Sequence, residues 1–311
     1  MAACSSQENF NATSYDAMAF VIITLQTLAG TWINGFIVCV LCVSWVKKKV
    51  FNSNEKILLL LGCLRIGDLC ITWLYMFFAA VYPHCFYVLP IPQMFSATRI
   101  FCNSSNMWVS ASLCVFYCLK IANFQHTFFI YLKAKIDRIV PWLFLVSVLL
   151  SLVMSILSYN IIYMNTNATT SANLWKLSIR MEEHLFPTYF FIGLILTAAF
   201  TAAIFSALLL LFSLCRHKRR MQTNSMRNLS MDAHIKAIKS ILSFIFLYSI
   251  NYIGTGLALI CANKMGYLPT FFISIFQYAL AVLHSLILIF SNTNLEKAFL
   301  RTLPCVKWRF H

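Results

Sequence analysis

Charge is scarce in this chain: of 311 residues only 11% are Asp, Glu, Lys or Arg and just nine are acidic, while 60% are hydrophobic. The mean hydropathy is +0.77. A soluble core of this length does not bury so many apolar residues, so the composition excludes an ordinary water-soluble domain. Catalytic constellations are missing too. There is no His-Glu-x-x-His metal motif, no Gly-x-Ser-x-Gly elbow, no phosphate-binding glycine loop, and no second intramembrane Asp to pair with Asp68 as a protease dyad. The twelve Cys are scattered, mostly within apolar stretches where they pack as small hydrophobes, and no Cys/His cluster suggests a metal site. No catalytic residue, metal or cofactor is therefore expected. A cleavable signal peptide is also not expected, because Met1 to Asp16 is polar and has no basic stretch ahead of an apolar one. The first span acts as its own signal anchor.

The charge that is present alternates along the chain. Nineteen of the 24 Lys and Arg residues fall in four short segments separated by seven apolar stretches. The first holds Lys47, Lys48, Lys49 and Lys56; the second Lys120, Lys133, Lys135 and Arg138. The third runs from Arg216 to Lys239, and the last holds Lys297, Arg301, Lys307 and Arg309. The intervening segments keep only Arg99, Lys176, Arg180 and Lys264, balanced by Glu8, Asp16, Glu182 and Glu183. By the positive-inside rule the basic segments are cytoplasmic, the N-terminus is outside and the C-terminus inside. The spans are expected at about 17–45, 57–81, 95–124, 139–163, 187–213, 237–262 and 268–290, each near the roughly 20 residues that cross the hydrocarbon.

The expected fold is thus an all-α membrane protein, one seven-transmembrane helix bundle over 1–311. Residues 1–16 form the extracellular N-terminus, 17–291 the bundle and 292–311 the cytoplasmic tail. The net charge of +15 does not call for nucleic acid, since the excess lies on one side, where anionic membrane lipid and an acidic partner meet it. Asn11-Ala12-Thr13 and Asn167-Ala168-Thr169 are glycosylation sequons on segments expected outside. A Cys85 to Cys102 bridge and palmitoylation of Cys305 are open possibilities.

Arg65 and Asp68 are the only full charges deep in any span, three residues apart on one helix face. They neutralise each other or meet polar groups of neighbouring helices, with His284 and Ser285 of the seventh span and Asn34 of the first as partners. A transporter would carry several coupled charges on different helices and internal repeats, and neither is seen. Pro141 and Pro187 read as helix-start prolines. Aromatic residues crowd the opposite ends of the spans, as membrane-interface anchors and as walls of an apolar cavity edged by Ser112, Asn251, Ser274 and Gln277.

Seven helices without an enzyme motif suggest a G-protein-coupled receptor, yet the rhodopsin-like marks are absent: no Asp/Glu-Arg-Tyr, no Cys-Trp-x-Pro, no Asn-Pro-x-x-Tyr. Instead the third span ends Phe116-Tyr117-Cys118-Leu119-Lys120-Ile121-Ala122-Asn123-Phe124. Around it stand Asn34-Gly35-Phe36-Ile37, Leu64-Arg65-Ile66, Leu211-Phe212-Ser213-Leu214-Cys215-Arg216-His217-Lys218, Ala233-His234-Ile235-Lys236 and His284-Ser285-Leu286-Ile287-Leu288. These blocks closely resemble the type 2, or bitter, taste receptors over nearly the whole chain. The vomeronasal type 1 receptors share the architecture, but the Lys120 to Phe124 block and His284-Ser285 speak against them.

The resemblance implies a plasma-membrane, multi-pass receptor that binds small, mostly apolar bitter agonists from outside and activates a gustducin-type heterotrimeric G protein through its alpha subunit. It implies agonist contacts at Trp108, Val109, Ser112, Asn251, Tyr252, Ser274 and Gln277. An interhelical polar network is implied at Asn34, Arg65, Asp68, His284 and Ser285. Tyr117, Lys120, His217, Lys218, His234 and Lys239 would face the G protein, and Asn167 matches the family's sequon. Asp68 is a charge the family pattern does not require, and Asn251 stands where many members carry an aromatic residue.

Overall fold

A computed structural model describes residues 14–50, 52–82, 90–122, 126–169, 174–223, 228–264 and 267–302. Among them the chain forms eight helices and no strand: α1 (Ser14–Lys48), α2 (Ser53–Val81), α3 (Ile91–Ile121), α4 (Thr127–Thr169), α5 (Leu174–Thr223), α6 (Asn228–Lys264), α7 (Tyr267–Ser291) and α8 (Thr293–Thr302). Hydrocarbon offers the backbone no hydrogen bonds, so each long apolar run satisfies its own amides as a helix. The segments Phe20–Lys48, Ser53–Phe78, Phe129–Asn160, Phe190–Arg216 and Ile238–Leu257 are each long and apolar enough to cross a membrane, and Ile275–Ser291 qualifies together with α8.

Helix α3 carries Arg99, Asn103, Ser104, Ser105, Asn106, Ser110 and Ser112, too polar a set for that measure. Its place in the bundle explains this. It packs against α2, α4 and α5 at once, so its polar residues meet protein instead of lipid. The other helices close a ring around it: α1 on α2, α4 on α5, α5 on α6, α6 on α7, and α7 back on α1. Small side chains bring α4 close to α3. Ser147, Ser151 and Ser158 are buried, the first two hydroxyls fold back onto the Leu143 and Ser147 carbonyls, and Ser155 Oγ reaches across to the Ala97 carbonyl at 2.9 Å. Gly30 does the same for α1, since a Cβ there would stand 2.6 Å from Leu69 Cδ1 and 3.1 Å from Val282 Cγ2.

Local signals set the ends at the basic side of the bundle. Lys49 takes the left-handed conformation (φ 55°) that closes a helix, its N–H bonding the Trp45 carbonyl at 2.7 Å. Helix α2 starts in a capping box between Asn52 and Glu55, and Lys48 reaches the same carboxylate at 3.6 Å. Two expectations need correction. Pro141 lies inside α4, whose helix begins at Thr127, and the helix holding Pro187 begins at Leu174. Pro141 is exposed, so the carbonyl it leaves unbonded is not sealed in the core.

The tail expected from residue 292 begins with a helix instead. The chain bends by 103° between α7 and α8, where Asn292 Oδ1 accepts the Asn294 and Leu295 amides at 3.0 and 3.4 Å. Leu295 and Phe299, one turn apart, are buried on α8, and Phe299 stands edge-on to Phe36, Trp32 and Phe290. Cys305, Cys85 and Asn11 lie outside the described residues; Cys102 is a free, buried thiol 3.9 Å from the Cβ position of Gly67.

Candidate functional site: a polar clasp and an aromatic column

Three helices meet in one buried polar knot. Arg65 of α2 donates from Nη1 to Ser285 Oγ and from Nη2 to His284 Nδ1, both at 2.6 Å. Ser285 Oγ lies 2.9 Å from Asn34 Oδ1 of α1 and 3.1 Å from its own helix's Ala281 carbonyl, and Asn34 Nδ2 donates to the Gly30 carbonyl at 2.8 Å. All four side chains are buried. Because a guanidinium can only donate, His284 Nδ1 is the acceptor, which fixes the neutral tautomer with its proton on Nε2. Sequence blocks in three separate helices thus converge on one set of bonds joining α1, α2 and α7.

Asp68, expected in the same network, is not part of it. Both terminal Arg65 nitrogens bond α7, and Asp68 turns toward α3, where the Arg99 guanidinium is the cation acting on it. Arg99 lies beside the buried Tyr278 of α7, whose OH pairs with Thr72 Oγ1 at 2.5 Å. A second polar layer therefore lies farther from the basic end than the clasp.

The residues expected to contact agonist fall into three groups. Trp108 is half-buried in mid-α3 with an indole Nε1 that is sealed from solvent and has no hydrogen-bond partner among the described residues. One turn on, Ser112 Oγ returns to the Trp108 carbonyl at 2.9 Å. Gln277 of α7 lies against Gly254 and donates to Thr255 Oγ1 at 3.0 Å, and Thr255 in turn donates to the Asn251 carbonyl at 2.9 Å. Val109 is a correction: at 1% exposure it packs in the apolar core with residues of α1, α2 and α7 instead of edging a cavity. Ser274 lies on α7, its side chain outside those described.

Tyr252 belongs to a feature the sequence reading missed. Phe244, Tyr248 and Tyr252 repeat every four residues on α6 and interleave with Phe200 of α5. Ring centroids are 5.3 Å apart for Phe244 and Tyr248, 6.1 Å for Phe200 and Tyr248, and 4.3 Å for Phe200 and Tyr252. Tyr252 OH bonds Thr197 Oγ1 at 2.9 Å, Tyr248 OH donates to the Met107 carbonyl of α3 at 3.1 Å, and Phe244 stands edge-on to His284 at 5.0 Å. The column so runs from the clasp toward the end of α5 opposite the basic one. The four-residue aromatic spacing was the available signal. A hollow of about 550 Å³ beside it, edged by Leu194, Thr201 and Phe205, opens on the exposed face of α5 and is not the interior site.

Side-chain contacts also cross the basic end. Ser53 Oγ donates to Asp137 Oδ1 at 2.5 Å, Lys133 Nζ to the Ala122 carbonyl at 3.3 Å, and the hydroxyls of Ser240 and Ser291 bond across α6 and α7. Tyr117, expected to face a partner, is half-buried between two apolar clusters and meets Asn54 of α2, while Lys120 is exposed over the Phe116 ring. Lys239 is exposed; His217, Lys218 and His234 lie on α5 and α6 with side chains outside those described. Asn167 lies in the last turn of α4 and not in a loop, its side chain likewise outside those described. Cys39 and Cys42 sit one turn apart on α1, and among the described residues no three His, Cys, Asp or Glu gather as metal ligands.

The comparisons agree with this architecture. The family model for taste receptor protein (TAS2R) matches residues 12–307. Taste receptor type 2 member 9 of Papio hamadryas is 31% identical over 302 residues, covering 95% of this chain and 96% of that protein. Its Homo sapiens counterpart is 31% identical over 303 residues with the same coverage, and taste receptor type 2 member 8 of Gorilla gorilla gorilla is 32% identical over 300 residues, 94% and 97%. The chain belongs to the taste receptor type 2 family, G-protein-coupled receptors that cross the membrane seven times and are not enzymes.

Proposed function

We propose that this bitter taste receptor takes small, mostly apolar agonists between α3, α6 and α7 and passes their binding to α6 through Trp108 and Tyr248. The observation that carries the reading is the pair Met107 and Trp108. The Met107 carbonyl is held by Tyr248 of α6, while the adjacent Trp108 offers a buried, unpartnered donor and a large aromatic face. A ligand on Trp108 therefore bears on a backbone segment of α3 that α6 grips. Ser112, Asn251, Tyr252, Ser274 and Gln277 complete the agonist contacts. Agonist that binds better to a state with α6 displaced shifts the population toward that state, by no more than its differential affinity.

In this reading the receptor sits in the plasma membrane as one domain, N-terminus outside, with the basic end in the cytoplasm against anionic lipid. Asn11 and Asn167 are the glycosylation sites. Opening breaks the Ser240 to Ser291 link and frees Tyr117, so that Tyr117, Lys120, His217, Lys218, His234 and Lys239 meet a gustducin-like alpha subunit. The test is calcium release in cells carrying a chimeric G protein, over a broad panel of bitter compounds. Trp108→Ala should lower potency about tenfold or more for several agonists with surface expression unchanged, the range for losing a large aromatic contact at a binding site. Unaltered potency across those agonists would remove Trp108 from the site, and labelled solute uptake with no calcium response would replace the receptor reading by a transporter.

A further inference from the structure

Asp68 is the charge that the clasp leaves unused. It is buried on α2 at 8% exposure, and its Oδ1 has no hydrogen-bond partner among the described residues. Arg65, its neighbour three residues earlier, is committed to Ser285 and His284. Arg99 acts on Asp68 by charge and lies beside Tyr278. On α3, between Arg99 and Trp108, the hydroxyls of Ser104 and Ser105 are buried and also lack partners. Free polar atoms thus run from Asp68 down α3 to the indole nitrogen of Trp108.

A carboxylate taken out of water with a lone pair unused is costly, and it is relieved by whatever brings both a donor and a positive charge. An anionic ligand would bring neither and would be repelled by Asp68. Resting on the agonist reading above, we propose that Asp68 is an amine-reading subsite of the pocket: the protonated nitrogen of a cationic agonist donates to Asp68 Oδ1 and replaces Arg99 as its counter-charge. Asp68 then sets specificity between cationic and neutral agonists. Arg99 competes with the ligand from beside Tyr278, whose own hydroxyl is paired with Thr72.

The two residues make opposite predictions, which a merely structural pair would not. The full chain is expressed with the chimeric G protein and challenged with protonated amines, quinine among them, each set beside an uncharged counterpart such as quinine N-oxide. Surface amount is measured in parallel. Asp68→Asn is expected to weaken amines at least tenfold, the scale of one hydrogen bond to a charged group, and neutral agonists less than threefold. Arg99→Gln is expected to strengthen amines several-fold and leave neutral agonists unmoved. If Asp68→Asn is lost from the surface, the Arg99→Gln gain decides alone. Equal effects on both classes, or a wild-type receptor answering neutral agonists and no amine, would overturn the subsite while leaving the receptor reading intact. Silence toward every compound would overturn both.

Discussion

Arg65→Met removes the centre of the clasp while keeping an unbranched apolar stem. Two hydrogen bonds disappear, to Ser285 and His284, and His284 Nδ1 is left as a buried acceptor without a donor. Polar pairs within membrane bundles average about 0.6 kcal/mol and reach ~1.7 each, because the membrane-embedded unfolded chain also finds partners. An orphaned buried polar group adds roughly 1–3 kcal/mol, and release of the guanidinium from its buried site offsets part of the total. The balance is a loss of about 2–4 kcal/mol. At roughly 2–4 °C per kcal/mol, the scale for somewhat smaller chains, the melting midpoint falls by about 4–16 °C. The assay is thermal unfolding of detergent-purified receptor followed by labelling of its buried thiols, of which Cys114 and Cys118 are two. His284→Leu in the same background should cost less than the sum of the single changes by about 1 kcal/mol, since it removes the orphaned acceptor. A shift within 1 °C, strict additivity, or a potency loss confined to some agonists would refute the clasp.

Gly30→Val should reduce surface expression severely, because even its Cβ would overlap Leu69 at 2.6 Å, whereas Gly35→Ala, with nothing within 4 Å, should be tolerated; flow cytometry on an epitope-tagged chain compares them. Phe299→Ala should release α8, since its ring is the shared contact of Trp32, Phe36 and Phe290, and limited proteolysis after residue 291 should then speed up at least several-fold. Tyr248→Phe removes the bond to the Met107 carbonyl and keeps the stacked rings; signalling without agonist should rise, and an unchanged basal calcium level would detach Tyr248 from the switch.

What could be read in advance follows from where the information lies. Basic segments and apolar runs mark out the membrane-spanning helices because membrane insertion itself responds to them. The clasp was legible in part: Asn34, Arg65, His284 and Ser285 stand out as polar residues in hydrocarbon, and each must find a partner. Asp68 was misplaced because spacing puts it on the face of Arg65 without saying that Arg65 reaches farther and is taken by α7. Val109 was misplaced for a similar reason. Adjacent positions on α3 point about 100° apart, so Trp108 and its neighbour face different surroundings. Helix α8 was overlooked since ten residues are too few for a span, although Asn292 ahead of Leu295 and Phe299 carries both a cap and a one-sided apolar face.

The polarity of α3 joins these observations into one mechanism. A helix that touches α2, α4 and α5 has little lipid to face, which frees it to carry serines, asparagines and an arginine where its neighbours must be apolar. The opposite end of that helix holds Arg99 in the layer with Asp68 and Tyr278, its middle presents Trp108 and is gripped at Met107 by Tyr248, and its basic end packs Tyr117 against α2. Phe244 carries the α6 column onto His284, so the grip on α3 and the clasp of α1, α2 and α7 share one aromatic contact. Displacing α6 therefore cannot leave this contact untouched: Phe244 must either drag on His284 or part from it. The Arg65 bonds hold His284 in place, so in the proposed activation the second outcome is expected, with α6 moving against the α1–α2–α7 frame.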